Sequence, residues 1–215
     1  MVLIFGALAV LAGYFIGNIS PAILMGKMAG LDIRKEGSGN AGSTNVLRVL
    51  GKRAAIATLI IDVLKGTVAV FVGQALGTIT NSGSFNIMLF GMVAGIAAIC
   101  GHSWPIVFGF KGGKGAATSL GAVIGISPLL GLACFVTAIT LFIITRRASI
   151  GSIGAASLLP IMSLFIGREG IAHTGTYFIW TLVIAIIVVF NHRSNIKRLL
   201  KNEEPKIKFR KEPKV

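Results

Sequence analysis

The 215-residue chain is 54% hydrophobic and only 13% charged, with a mean hydropathy of +0.84 and a formal net charge of +14. A soluble domain of this size needs far more polar surface, so the composition excludes one and points to a single-domain integral membrane protein. The basic residues are spread over short loops and a tail, which argues against nucleic acid as a partner and for an orientation bias across a bilayer.

A membrane span needs about 20 apolar residues. Residues 2–25 form the first such run. No basic stretch precedes it and no cleavage site interrupts it, so it reads as a retained span. Residues 54–76 form a second, broken by Asp62 and Lys65, and residues 85–108 a third. Residues 116–145 are either one long helix kinked at Pro128 or two helices meeting near Ser127 and Pro128. Residues 149–166 and 175–190 complete the set. With two helices, loops 26–53, 101–115 and 146–148 and the tail from 191 share one side and carry 19 of the 21 basic residues. With one helix the basic residues split 11 to 9. The positive-inside rule therefore selects an all-α protein of seven transmembrane helices, N-terminus outside and C-terminus cytoplasmic. The outer loop 77–84 carries no charge, as this predicts, and Arg168 and His173 of the other outer loop have no assigned role.

Residues 1–204 read as one membrane domain and residues 205–215 as a basic cytoplasmic tail, disordered or lying on anionic lipid. The pairs Gly91/Gly95 and Gly121/Gly125 predict close helix contacts. Cys100 and Cys134 lie in apolar runs without metal-ligand spacing and read as buried inert thiols.

Three polar segments carry candidate chemistry. The first runs from Gly37 to Arg48. Gly37, Gly39 and Gly42 satisfy a G-x-G-x-x-G spacing, but the βαβ context of a dinucleotide site is missing. What remains is a glycine-rich turn holding Ser38, Asn40, Ser43, Thr44 and Asn45, then Arg48: small hydrogen-bonding groups and one guanidinium suited to phosphate. The second runs from Gly101 to Thr118. Lys111, Gly112, Gly113, Lys114 and Gly115 make a loop whose bare backbone can approach an anion and point N–H groups at it. It is not a Walker A loop, and the seven acidic residues form no metal cluster, so nucleotide hydrolysis is excluded and neither metal nor cofactor is expected. The third is Asn191–Leu200. A helix there puts His192, Asn195 and Leu199 on one face and Arg193, Lys197 and Lys201 on another. Asp62 and Lys65 stand three residues apart within a span, where a charge costs on the order of 2.5–3.5 kcal/mol. Mutual pairing is the expected role and lining a site the competing one. All three segments fall on the cytoplasmic side, which argues for one composite site. A transporter of a small organic anion is the competing class, but its polar residues should follow a midplane path rather than gather at one face.

Together these segments resemble the bacterial acyl-phosphate-dependent glycerol-3-phosphate acyltransferases, the PlsY family. The resemblance runs through Gly37 to Asn40, Gly42, Thr44, Asn45 and Arg48; through Gly101, His102, Pro105, Phe110 to Gly115, and Thr118; and through His192, Asn195 and Glu204. It covers nearly the whole chain. It implies transfer of an acyl group from acyl phosphate to sn-glycerol 3-phosphate, giving lysophosphatidic acid and phosphate, the first acylation of bacterial phospholipid synthesis. It also implies seven spans in the bacterial inner membrane and a cytoplasmic active site. By this resemblance Ser38, Arg48, Lys114, His192 and Asn195 make the catalytic centre. Gly39, Asn40, Thr44, Asn45, Lys111, Gly112, Gly113, Gly115 and Thr118 surround substrate phosphate. Glu204 supports the structure, as the Asp62–Lys65 pair is expected to. The implied partners are the two substrates and membrane lipid, with an acyl-phosphate synthase as upstream supplier. Asn202 departs from the third motif, which commonly has glycine there, so a different residue must make the turn before Glu204.

Overall fold

The computed structural model describes residues 1–80, 83–166 and 174–207. Arg168, His173 and the end of the basic tail lie outside the described residues. The described chain is helical: α1 Val2–Asn18, α2 Pro21–Met28, α3 Ser43–Val49, α4 Lys52–Ile79, α5 Ser84–Ser103, α6 Ala116–Ile126, α7 Pro128–Thr145, α8 Ala148–Phe165, α9 Thr174–Asn191 and α10 Arg193–Leu200, with a 3-10 turn at Ile106–Phe108.

Among the described residues six segments are long and apolar enough to cross a membrane: Val2–Met28, Lys52–Ile79, Ser84–Phe108, Pro128–Thr145, Ala148–Phe165 and Thr174–Asn191. The 116–145 stretch is two helices. Ser127 is extended and Pro128 opens α7. Proline has no N–H to continue α6 and pushes the residue before it out of helical geometry. The resulting α6 has 11 residues, about 16 Å, well short of a hydrocarbon core of about 30 Å.

Lipid tails are as apolar as leucine, so helices associate in a bilayer through close packing rather than apolar burial. The glycines supply that closeness. Gly13 and Gly17 set α1 on α5, where a Cβ would land on the Ala94 or Ala98 backbone. Gly121 sets α6 on the Val63 backbone of α4, and Thr67 Oγ1 donates to the Gly121 carbonyl at 2.8 Å. Gly91, Gly95 and Gly125 all meet the fully buried Val70 of α4. The two expected G-x-x-x-G pairs thus converge on one α4–α5–α6 contact.

Helices α8 and α9 close the bundle. Tyr177, Trp180, Ile184 and Val188 of α9 pack with Leu159 of α8 and with Val123 and Ile126 of α6. The Trp180 indole N–H donates to the Met92 carbonyl at 3.0 Å, so the core leaves this polar atom paired. Helix α7 buries only Leu130, Gly131 and Cys134 and turns Leu129, Leu132, Ile143 and Ile144 outward. Both cysteines are free thiols, Cys134 buried and Cys100 half-buried. A second small core of Ile23, Ile33, Ala41 and Val46 holds the loop after α2 beneath α3. That platform holds the first polar segment against the start of α4.

Candidate active site

One buried side chain shapes the Gly37–Arg48 segment. Asn45 donates through Nδ2 to the carbonyls of Ile33 (3.0 Å) and Glu36 (2.9 Å), and its Oδ1 accepts the Ser38 N–H (2.8 Å). The amide's two donors are therefore used on the loop, and Asn45 has none left for a phosphate. Gly37 takes φ +59° against Asn45, where a Cβ would overlap Oδ1; only glycine fits this turn. Gly39, at φ +70°, continues the turn. Ser38, Asn40, Gly42, Thr44 and Arg48 then line a common cavity.

The glycine–lysine loop works differently from the expected cradle. The Gly112 N–H donates to the Ser103 carbonyl (3.2 Å) and the Gly113 N–H to the His102 carbonyl (3.0 Å). The last carbonyls of a helix lack intrahelical donors. Gly112 and Gly113 cap α5 in this way, and their N–H groups are not offered to an anion. The loop residues that line the cavity begin later, at Lys114, Gly115, Ala116 and Ala117. Gly115, at φ +84°, opens α6, whose first N–H groups have no intrahelical partners and carry the positive end of its dipole. Thr118 is fully buried in α6. Lys111 lies apart from Lys114 and lines a separate depression with Asp32, Arg34, Lys35 and Phe108. There the Arg34 guanidinium bonds Asp32 (2.9 Å) and holds its carboxyl down to about 2.

The third segment supplies a continuous polar chain. Asn191 Nδ2 donates to Ser103 Oγ (3.0 Å), tying the end of α9 to α5. His192 Nδ1 lies 2.7 Å from the Val188 carbonyl. A carbonyl only accepts, so the proton is on Nδ1 and Nε2 is left as an acceptor. Burial pushes the His192 pKa to about 4 and nearby Lys114 pushes the same way, outweighing the Val188 bond. His192 is therefore neutral at pH 7. Lys114 Nζ donates to Asn195 Oδ1. Asn195 Nδ2 donates to Glu204 Oε1 at 2.7 Å, and Glu204 also accepts from Ser149 Oγ (2.7 Å) and Arg198 Nε (2.8 Å). Burial by itself would raise the Glu204 pKa, but these three donors together hold it below the usual carboxylate range. Burial lowers Lys114 to about 8, with Arg198 and Arg48 adding to the effect and Glu204 opposing it.

The turn before Glu204 survives the loss of glycine. Asn202 adopts φ +57°, and the Glu203 N–H returns to the Arg198 carbonyl at 2.8 Å. Asparagine tolerates this left-handed region better than most residues. Beyond it, Arg147 Nε donates to the Glu204 carbonyl (3.1 Å) and the Ile207 N–H to the Arg146 carbonyl (2.8 Å). The first residues of the expected tail are thus clipped to the start of α8.

Asp62 and Lys65 do pair, at 2.8 Å, deep in α4. Lys65 Nζ also reaches the Ile19 carbonyl (2.7 Å) and His102 Nδ1 (2.7 Å). Asp62 and His102 line the cavity as well, whereas Lys65 does not, so the pairing role holds for both residues and the lining role for Asp62 alone. The cavity is about 400 Å³. Its polar end is Ser38, Arg48, Lys114, His192, Asn195 and Glu204, and it continues between apolar side chains that include Leu59, Val123, Phe135, Leu159 and Ile184. Among the lining residues that escaped sequence reasoning are His102, Arg198 and Ser149. His102 and Arg198 stood inside the second and third segments without an assigned role. Ser149, in another loop, carried no signal.

The chain matches the family model described as glycerol-3-phosphate acyltransferase over residues 7–202. A glycerol-3-phosphate acyltransferase from Thermoanaerobacter sp. (strain X514) is 43% identical over 205 residues, covering 94% of this chain and 96% of that protein. Another from Clostridioides difficile (strain 630) is 43% identical over 200 residues, covering 93% and 94%. Among solved structures, PlsY (YgiH), an integral membrane glycerol 3-phosphate acyltransferase, in its glycerol 3-phosphate form superposes with a TM-score of 0.81 at 32% identity, covering 94% of this chain and 96% of that one. Its lysophosphatidic acid form gives 0.79 at 31% identity, covering 94% and 95%. A matched family model, near-full-length relatives and a shared membrane-helical fold agree: the chain belongs to the glycerol-3-phosphate acyltransferase family.

Proposed function

We propose that the chain transfers an acyl group from acyl phosphate to sn-glycerol 3-phosphate, releasing phosphate and 1-acyl-glycerol 3-phosphate (lysophosphatidic acid), the first acylation of bacterial phospholipid synthesis. The observation that carries this reading is the continuity of one cavity. Its cationic polar end and its apolar remainder, beside α6 to α9, suit an anionic head group and a long acyl chain in the same molecule. Each buried CH₂ of that chain contributes about 0.8 kcal/mol. The forms in which PlsY was solved, with glycerol 3-phosphate and with lysophosphatidic acid, fit an acceptor and a product of this kind.

The donor is a mixed anhydride and already activated, so no enzyme-bound nucleophile is needed. The acceptor hydroxyl oxygen attacks the acyl carbon, the bond from that carbon to the phosphate oxygen breaks, and the hydroxyl proton leaves with the phosphate. A phosphate group titrates near 6, roughly, above His192 at about 4. The phosphate is thus the stronger base, and His192 Nε2 serves to orient the hydroxyl. Lys114 and Arg48 neutralise phosphate charge, the start of α6 adds oriented N–H groups, and Ser38 and Asn195 position the reacting groups. Holding two substrates in register supplies about 7–11 kcal/mol of the barrier. Seven spans, with α6 counted, an outside N-terminus and an active site at the cytoplasmic face of the bacterial inner membrane follow from the placement of 19 of the 21 basic residues. Residues 1–204 act as one domain.

Purified protein given acyl phosphate and glycerol 3-phosphate should release phosphate and form lysophosphatidate in equal amounts, and give neither with acyl-CoA or acyl carrier protein as donor. Turnover of acyl-CoA alone would overturn the donor assignment. Trapping of an acyl-Ser38 adduct with donor alone would overturn direct transfer.

A further inference from the structure

The cavity contains a histidine whose proton is placed by the groups behind it. Lys65 Nζ has three donors and makes three close contacts: Asp62 Oδ1 at 2.8 Å, the Ile19 carbonyl at 2.7 Å and His102 Nδ1 at 2.7 Å. An ammonium has no acceptor, so a proton on His102 Nδ1 would set donor against donor at 2.7 Å. Nδ1 must therefore accept, and the imidazole proton is on Nε2. Two further observations agree. Asp62 Oδ1 lies 3.3 Å from His102 Nδ1, well beyond the 2.7 Å at which Lys65 Nζ meets the same nitrogen. Among the described residues no hydrogen bond to Nε2 is recorded, although His102 is only 5% exposed.

Nε2 lies where the two glycine-rich loops meet. It sits against Gly113, where a Cβ would overlap it, and the Ala41 carbonyl borders the same spot. Lys114 follows directly, and His102 lines the cavity together with Lys114, Ser38 and Arg48. A Lys65 ammonium is balanced by the Asp62 carboxylate 2.8 Å away, so beside a neutral His102 the trio adds no net charge. It adds a directed donor to a site whose positive charge comes from Lys114 and Arg48.

We infer that His102 is a substrate-contacting residue, a neutral imidazole locked by Lys65 with Nε2–H donating to an anionic phosphate oxygen held between the two loops. This rests on the reading of the cavity as a phosphate-ester site. The donated bond serves either the acceptor's phosphate or the donor's, and kinetics separate the two. In His102→Asn, Oδ1 can still accept from Lys65 but nothing reaches the Nε2 position. His102→Gln restores a donor there. The expected result for His102→Asn is a rise of about 10- to 100-fold in KM for one of the two substrates, the loss of one hydrogen bond to a charged group, with an unchanged melting temperature and partial recovery in His102→Gln. The substrate whose KM moves is the one contacted. Unchanged KM values in a folded His102→Asn protein overturn the inference, as does an equal loss in both variants.

A second measurement needs no variant. The chain has 3 histidines, so ¹⁵N-histidine NMR of the whole protein resolves tautomers. His102 should show a protonated Nε2 and a bare Nδ1, and the Nε2 resonance should move on titration with inorganic phosphate. A protonated Nδ1, or a resonance indifferent to phosphate, overturns the inference. If wild-type protein fails to acylate glycerol 3-phosphate while His102 still responds to phosphate, the proposed reaction fails and the anion contact stands.

Discussion

Lys114 is the residue on which the chemistry of the cavity converges. It is half-buried, donates to Asn195, and is lowered to about 8 by burial and by the cations Arg198 and Arg48. Below that pH it is an ammonium; above it, a neutral amine that no longer balances phosphate. We expect kcat/KM to fall as pH rises through about 8, because this parameter reports groups in the free enzyme. Lys114→Arg keeps its charge at any accessible pH and should remove that descending limb, whatever it does to the absolute rate. A limb that stays in place assigns it to another group. Ser38 makes a separate case. Its N–H is taken by Asn45, so any part it plays against substrate comes from the hydroxyl. Ser38→Ala should lose about 10²- to 10³-fold in kcat, the usual effect of removing one donor aimed at developing charge, while the loop built by Asn45 stays intact. Full activity in that variant would take Ser38 out of the centre.

Two helix features carry testable structure. The contact of α6 with α4 is backbone to backbone at Gly121 and Val63. Gly121→Val should therefore separate the helices and lower thermal stability in detergent by at least the roughly 1–3 kcal/mol of an overpacked core. The effect on activity should follow, because α6 begins in the cavity. At the end of α10, the left-handed Asn202 predicts that Asn202→Gly is close to neutral. Asn202→Val should cost about 1–2 kcal/mol, the penalty of that conformation for a residue with a Cβ. Thermal melts of the two variants decide it, and equal melting temperatures would refute the conformational argument.

At the scale of the molecule, Glu204 joins three parts of the chain: Ser149 of α8, Asn195 and Arg198 of α10, and through Asn195 the Lys114 loop. Its folded pKa lies below its ordinary value of 4.5, so the folded protein favours the ionised form. That contribution is full above the ordinary value and is lost as pH falls through the lowered one. Stability should therefore decline on acidification below about 4.5, and more shallowly in Glu204→Gln. Glu204→Ala leaves the buried Ser149 and Asn195 donors without an acceptor and should cost about 1–3 kcal/mol, together with faster proteolysis after Leu200. An acid limb identical in wild type and Glu204→Gln would assign the decline to other carboxylates.

Much of this was legible in the sequence. Apolar runs of near-span length report the long helices directly, because a bilayer demands them, and Pro128 marks the break between α6 and α7 through its missing N–H. Local spacing singled out Ser38, Arg48, Lys114, His192 and Asn195, and all five line one cavity. What spacing could not report is which hydrogen-bonding groups the fold had already used. Gly112, Gly113 and Asn45 look like phosphate ligands in one dimension, yet their N–H groups are committed to helix capping and loop closure. Lys111 and Lys114, three residues apart, face different spaces because the intervening glycines turn to cap α5. Ser149 and His102 gain their roles from partners 55 and 37 residues away. The sequence by itself determined the membrane class, the long apolar helices and the residue types that line the cavity. Only the tertiary structure decided which donors remain available to a substrate, because a hydrogen bond is committed in three dimensions and leaves no trace in the order of residues.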